Sequence, residues 1–258
     1  MELTRSTIAF ALREPRTAML HILLGKDQIL CGSIARLTDY KKSVAYQFYR
    51  EIRTEDALQN HVRSKLNEAG GSPRGAVRFD EACCLYTVCR LIRPRIVVET
   101  GVAAGVSSAF ILQALNDNSY GILHSIDLPN HEDFLAKSEP EYAWMGGTGA
   151  ALVPPNEEPG FVIPNDLRTR WKLHLGFSQE VLPKVLPEVG KIDLFVHDSE
   201  HTYSNMEFEY QTAWPSIREG GFLLSHDFGW NSAFSDFVSK SNRRPVYLYL
   251  TGFGGLRK

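Results

Sequence analysis

Apolar positions recur along this chain in two rhythms, and the rhythm changes near residue 93. Before that point the spacing is helical. From Asp56 to Ala69, residues Leu58, Val62, Leu66 and Ala69 share one face of a 3.6-residue repeat, and Gly70 and Gly71 stop it. A second amphipathic helix is predicted from Asp80 to Ile92, ended by Pro94. Beyond residue 93, short apolar runs alternate with helical stretches: Ile96 to Glu99, Ile122 to Asp127, Lys172 to Leu175, Ile192 to Asp198 and Phe222 to His226. Continuous apolar runs separated by helices predict a parallel sheet covered on both faces.

Between the fourth and fifth runs, Ser204 and Glu207 have capping-box spacing, and Met206, Tyr210 and Ile217 keep helical spacing. Gly220 and Gly221 are read as ending that helix before the next strand. The closing stretch RRPVYLYLTGFGGLRK predicts a strand, a turn and a short final strand. The expected organisation is an N-terminal helical cap over 1–92 and an α/β domain over 93–258. One segment breaks the compact pattern. Pro129 to Trp171 carries five further prolines, with Gly146, Gly147 and Gly149 and with Tyr142, Trp144, Phe161 and Trp171 among them. Long connections of this kind are usually binding loops or lids, and the aromatics predict a lid insertion over 129–171.

Composition narrows the classes. At 258 residues and a net charge of −2, with no basic tail, the chain is not expected to bind nucleic acid. No apolar run approaches the roughly 18 residues of a spanning helix, so no membrane partner is expected. No secretory leader is read at the N-terminus. Cys31, Cys83, Cys84 and Cys89 form no C-x-x-C pair, and the last three fall on an apolar helical pattern as buried thiols. These readings predict a cytoplasmic protein acting on a small molecule, with homo-oligomerisation left open.

The stretch VVETGVAAGVSSAF, Val97 to Phe110, carries the chemistry. A strand, a glycine turn and a helix present free N–H groups and a positive dipole end to a ligand. A nucleoside-triphosphate loop would need a lysine after the second glycine, where Val106 and Ser107 stand. A dinucleotide fingerprint would need glycines at 103 and 106, which are Ala and Val. Glu99, two residues before Gly101, would repel phosphate and suits an ammonium group. Asp127, ending the second run, sits where an acid accepts ribose hydroxyls. An amino acid joined to a nucleoside without phosphates satisfies both, and S-adenosylmethionine is such a molecule. Ser107, in the first helical turn, is a candidate for its carboxylate.

VVETGVAAGVSS resembles motif I of the class I S-adenosylmethionine-dependent methyltransferases, with Ala103 in place of the middle glycine. HSIDL is similar to the family's ribose-binding acid segment, and LGFSQEVLP to its adenine-side turn, where Ser178 replaces a frequent Asp. IDLFVHDSEHTY and GGFLLSHDF resemble a subgroup of small-molecule O-methyltransferases related to macrocin O-methyltransferase and cephalosporin hydroxylase-like proteins. The resemblance covers about 93–258. It implies a Rossmann-like, seven-stranded, mostly parallel sheet with helices on both faces, and a cofactor held by Glu99, Gly101, Gly105, Ser107, Asp127 and Ser178.

Methyl transfer to a hydroxyl requires a placed nucleophile of lowered proton affinity. Asp198 and Asp227 are read at the ends of adjacent strands, where they would share a divalent cation, taken as Mg²⁺, with His226 and Asn231 completing its shell. His201 is the candidate general base beside Asp198, and His197 is read as structural. Three rivals remain: a non-haem iron enzyme built on His201, His226 and a carboxylate, a cofactor-binding scaffold, and an NAD-dependent dehydrogenase.

Overall fold

The computed structural model describes residues 25–71, 77–129, 153–154 and 157–258. Among the described residues four helices come first: α1 (Lys26–Thr38), α2 (Lys42–Arg53), α3 (Asp56–Glu68) and α4 (Phe79–Ile92). The alternating part follows as β1 (Ile96–Thr100), α5 (Val106–Asp117), β2 (Ile122–Asp127), β3 (Trp171–Leu175), α6 (Ser178–Val189), β4 (Ile192–His197), α7 (Tyr203–Ala213), β5 (Ile217–Ser225) and α8 (Ala233–Ser241). Strands β6 (Val246–Tyr247) and β7 (Gly254–Arg257) complete a seven-stranded sheet of order β3-β2-β1-β4-β5-β7-β6. β1 to β5 run parallel, and β7 lies antiparallel between β5 and β6.

Side chains alternate across the strands, so each run supplies two cores. Val97, Leu194 and Leu224 join one cluster with Leu30, Ile34, Tyr49, Leu85 and Phe110 from the first five helices. Val98, Phe195 and Leu223 join the other with Leu182, Tyr210 and Phe234 from α6 to α8. The four N-terminal helices therefore share their core with the sheet. Cys31, Cys83, Cys84 and Cys89 are buried free thiols in that core, and burial pushes Cys31 and Cys83 up to about 12.

Two local expectations are corrected. Thr202 caps α7, its hydroxyl accepting the Asn205 N–H at 3.3 Å, in place of Ser204. The helix stops at Ala213 because Pro215 follows within a short 3₁₀ turn. Ile217 then opens β5, which places Gly220 and Gly221 inside that strand. Gly220 has φ +73° and Gly221 lies against the Asp193 carbonyl, so both mark an irregularity of the β4–β5 pairing.

The lid expected over 129–171 falls largely on 130–152 and 155–156, which lie outside the described residues. Its second half is anchored. Gly160 N–H donates to Ala103 O at 2.8 Å, Val162 N–H to Ala104 O at 3.1 Å, and Val162, Ile163 and Leu167 are buried. Cα of Gly160 would lie 2.7 Å from a Cβ at Gly105.

Connections from β1 lead to β2 on one side, and β4 and β5 continue on the other, so a crevice opens at the carboxyl ends of β1 and β4. The loops there touch. Gly101 has φ +84°, and a Cβ on it would meet the Asp198 carbonyl oxygen at 2.0 Å. Gly101→Ala combines left-handed backbone with that overlap, so a loss of at least about 2 kcal/mol is expected in urea unfolding. Unchanged stability would mean that the two loops separate freely.

Candidate active site

The glycine turn is shaped from behind by two acids. Asp127 Oδ2 accepts the N–H groups of Val102 and Ala103 at 3.1 and 2.7 Å, and its Oδ1 accepts that of Leu128 at 2.7 Å. It reaches from the end of β2 across the turn. Ala103 holds φ +48°, a conformation that glycine adopts without cost and alanine at roughly 1–2 kcal/mol. Gly105, at φ +94°, begins α5.

Glu99 lies beneath the turn, with no exposure. Its Oε1 accepts the Ser107 hydroxyl at 2.6 Å, and its Oε2 accepts those of Ser108 at 2.6 Å and Ser125 at 2.9 Å. Trp171 Nε1–H donates in turn to Ser125 Oγ. Glu99 is read from the sequence as an ammonium contact and Ser107 as a cofactor-carboxylate contact. The two side chains bond each other and tie β1, β2 and α5 together. Burial pushes the Glu99 carboxyl up to about 7, against the pull of the three hydroxyls.

Ser178 opens α6 and donates to Asn205 Oδ1 at 3.2 Å, linking the turn after β3 to the start of α7. Asn205 also donates to Ser199 Oγ, the Glu200 carbonyl and Glu209 Oε1. Glu209 is fully buried, accepts from Thr100 Oγ1, and has His197 Nδ1 2.7 Å from its Oε2. His197 thus faces α7, on the sheet side opposite Asp198.

The second half of the crevice gathers Asp198, His201 and His226. Their ligand atoms all lie within 4.8 Å of one another. His226 Nδ1 is 2.8 Å from Asp198 Oδ1, an ion-pair contact. His201 Nε2 is 3.9 Å from the same oxygen and is buried without a hydrogen-bond partner. Asp227, read as a shared ligand with Asp198, stands beside the group: its Oδ2 is 3.8 Å from His226 Nδ1, and it is 39% exposed. The cause is register. His197 pairs with Ser225, which sets Asp198 opposite His226, and Asp227, at φ +46°, turns out of the sheet. Asn231, read as completing the shell, is committed elsewhere, donating to the His201 carbonyl and accepting from Ala233 N–H.

One group here escaped the sequence reading. Glu81 of α4 is 1% exposed, and its Oε2 lies 3.4 Å from His226 Nε2. Its only local signal was capping, since Oε2 also accepts the Arg78 N–H at 3.0 Å. Burial works against a charged His226, yet Asp198 and Glu81 outweigh it and raise the imidazole to about 10. His201 moves the other way, lowered by burial and by His197. The exposed Trp230 ring borders His201, with centroids 6.2 Å apart.

Residues 98–228 match the family described as a methyltransferase domain. A candidate O-methyltransferase of Mycolicibacterium smegmatis is 28% identical over 173 residues, covering 67% of this chain and 68% of that protein. The mitochondrial translation factor guf1 of Aspergillus niger is 30% identical over 135 residues, but that stretch spans 52% of this chain and only 18% of that protein. Among solved structures, a candidate O-methyltransferase from Klebsiella pneumoniae aligns with TM-score 0.54 at 15% identity, over 83% of this chain and 96% of that one. A candidate caffeoyl-CoA O-methyltransferase from Staphylococcus aureus aligns with TM-score 0.52 at 12% identity, over 84% and 100%. At these identities the likeness is one of fold. No helix among the described residues is long and apolar enough to cross a membrane.

The raised Glu99 carboxyl has a measurable consequence. Its folded value of about 7 exceeds the ordinary 4.5, so the folded state binds more protons than the unfolded chain between these values. Stability from this group is complete at low pH and is lost as pH rises through that window. Urea unfolding from about pH 5 to about pH 8 should therefore shift in favour of Glu99→Gln relative to the parent. Parallel stability curves would show that Glu99 is ionised throughout.

Proposed function

Because this chain belongs to the methyltransferase-domain family, with residues 98–228 matching it, we propose that it is an S-adenosylmethionine-dependent O-methyltransferase. It acts on a hydroxyl of a small molecule with the help of a divalent cation. One observation carries the reading: the glycine turn and the Asp198, His201 and His226 cluster face one crevice, at the point where the sheet order reverses. Bound there, S-adenosylmethionine would supply the electrophilic methyl.

The residues divide the work. The turn at Val102 and Ala103, whose N–H groups Asp127 holds in place, forms a cradle with the start of α5, and Asp127 at its rim is the acceptor for ribose hydroxyls. Glu99 supports the cradle from below through Ser107 and Ser108. Gly101 and Gly105 let the backbone approach Asp198 and Gly160. Ser178 holds the third-strand turn against α7.

The cluster fits a cation on its own chemistry. It combines one carboxylate with two imidazoles, and both His201 Nε2 and His226 Nδ1 are buried without hydrogen-bond partners among the described residues. Metal–ligand bonds of about 2.0–2.2 Å leave the ligand atoms of one ion roughly 3–4 Å apart, close to this spacing. Two nitrogen donors suit a first-row transition ion better than Mg²⁺, so Mn²⁺ is the better probe. A cation in this position depresses the pKa of an acceptor hydroxyl. Asp227, at the open edge, is then placed to receive the proton.

The same donor set favours one second reading. Two histidines and one carboxylate compose a non-haem iron centre, which would consume oxygen with 2-oxoglutarate or a reductant.

Calorimetry separates these. S-adenosylhomocysteine should bind the parent without metal, and Asp127→Asn should weaken it by roughly tenfold. Asp198→Asn should abolish Mn²⁺ binding and leave that affinity intact. No binding of S-adenosylhomocysteine would end the methyltransferase reading. Methyl transfer from labelled S-adenosylmethionine to a panel of phenols and sugars that proceeds in excess EDTA would remove the cation. Oxygen uptake dependent on Fe²⁺ and 2-oxoglutarate would establish the second reading.

A further inference from the structure

We propose that Glu81, from the N-terminal helices and outside the family-matched segment, is a positioning residue for the cation site. It fixes the ring orientation and tautomer of His226, so that Nδ1 faces Asp198 and His201. The inference rests on the cation reading above.

The geometry of the ring pocket carries it. Glu81 Oε2 meets His226 Nε2 at 3.4 Å, on the side of the ring away from Asp198. Its other oxygen accepts the Gly252 N–H at 2.7 Å. The same glycine abuts the ring, and a Cβ there would lie 2.8 Å from Nε2 and 2.9 Å from Cδ2. Phe253 packs on the ring with centroids 4.9 Å apart. The imidazole is thus held by a helix from the start of the chain and a turn from its end. Neither can be inferred from the strand that carries it.

A capping role alone does not explain Glu81. A cap needs one carboxylate oxygen at the exposed start of a helix, whereas this side chain is 2% exposed. Its neighbours Ala82, Cys83, Cys84 and Leu85 are all buried. A carboxylate so enclosed is tolerated only when each oxygen has donors. Here they are the N–H groups of Arg78 and Gly252, the Arg78 guanidinium at 3.2 Å, and His226 Nε2. A cation would displace the Nδ1 proton of the charged ring, and an acceptor at Nε2 then holds the Nε2–H tautomer and leaves the Nδ1 lone pair for the cluster. Carboxylates commonly orient metal-binding histidines in this way.

Glu81→Gln keeps the shape but replaces one acceptor oxygen with a donor. It should weaken Mn²⁺ binding, read by paramagnetic resonance of the free ion, by roughly 10- to 100-fold. S-adenosylhomocysteine affinity should stay within about twofold, and ¹⁵N spectra of the His226 ring should report loss of the Nε2–H form. Glu81→Asp keeps an acceptor but draws it back from Nε2 and should weaken Mn²⁺ in the same direction; it carries the test if Glu81→Gln does not fold. Parent-like Mn²⁺ affinity in the folded variants would overturn the role of Glu81 while leaving the cation site standing. A parent protein that binds no Mn²⁺ would overturn both.

Discussion

The rest of the site depends on the close contact between the turn after β1 and the loop after β4. Gly101 lies against the Asp198 carbonyl with no room for a side chain, and Asp198 N–H donates to Thr100 O at 2.9 Å. That contact sets the height of Asp198 above the sheet. The next pairing then carries the constraint onward, because His226 N–H donates to His197 O at 2.8 Å and brings His226 alongside Asp198. The glycine turn and the cluster of Asp198, His201 and His226 therefore share one reference frame.

Three fully buried carboxylates sit under or beside this frame, and each is accommodated differently. Removing an ion from water costs several kcal/mol unless its partners are complete. Glu99 is surrounded by hydroxyls alone and is pushed up to about 7. Glu209 has equal burial but also the His197 imidazole, and its carboxyl is held below the ordinary value despite the burial. Glu81, likewise lowered against its burial, combines backbone donors with His226. The difference is the neighbouring imidazole, since hydroxyl dipoles alone do not offset the lost hydration of a carboxylate. Satisfied networks of this kind stiffen the floor on which the crevice rests.

The N-terminal helices contribute more than a cover. They fill one face of the sheet, and α4 packs along α5, the helix that begins at the glycine turn. The Tyr86 hydroxyl of α4 lies within hydrogen-bond distance of Glu51 and of Asp117 at the far end of α5. The same helix delivers Glu81 at its other end. Segment 157–170 braces the turn from the opposite direction through Gly160 and Val162. The cradle is clamped on both sides by chain distant in sequence.

The fold was legible in the sequence because it depends on short-range periodicity. Runs such as Val97-Val98 and Phe195-Val196 can be satisfied only between two helical layers, and the glycines at 101 and 105 announce a turn that must pass close to other backbone. The residue types of the site were legible for the same reason, as strand-end acids and histidines. Their partners were not. A one-residue shift in lateral register decides whether Asp198 meets His226 or Asp227, and because Phe222, Leu223 and Leu224 are buried on both faces of the sheet, the apolar pattern of β5 fits both choices. Glu99 reads as a charge beside a ligand, and only the approach of Ser107, Ser108 and Ser125 shows it enclosed. Glu81 carries no site signal in the sequence, and 145 positions separate it from His226. Local sequence determines which strands and turns form; the packing of distant elements decides which polar groups meet, because those contacts arise only when the helices and the final hairpin dock on the sheet.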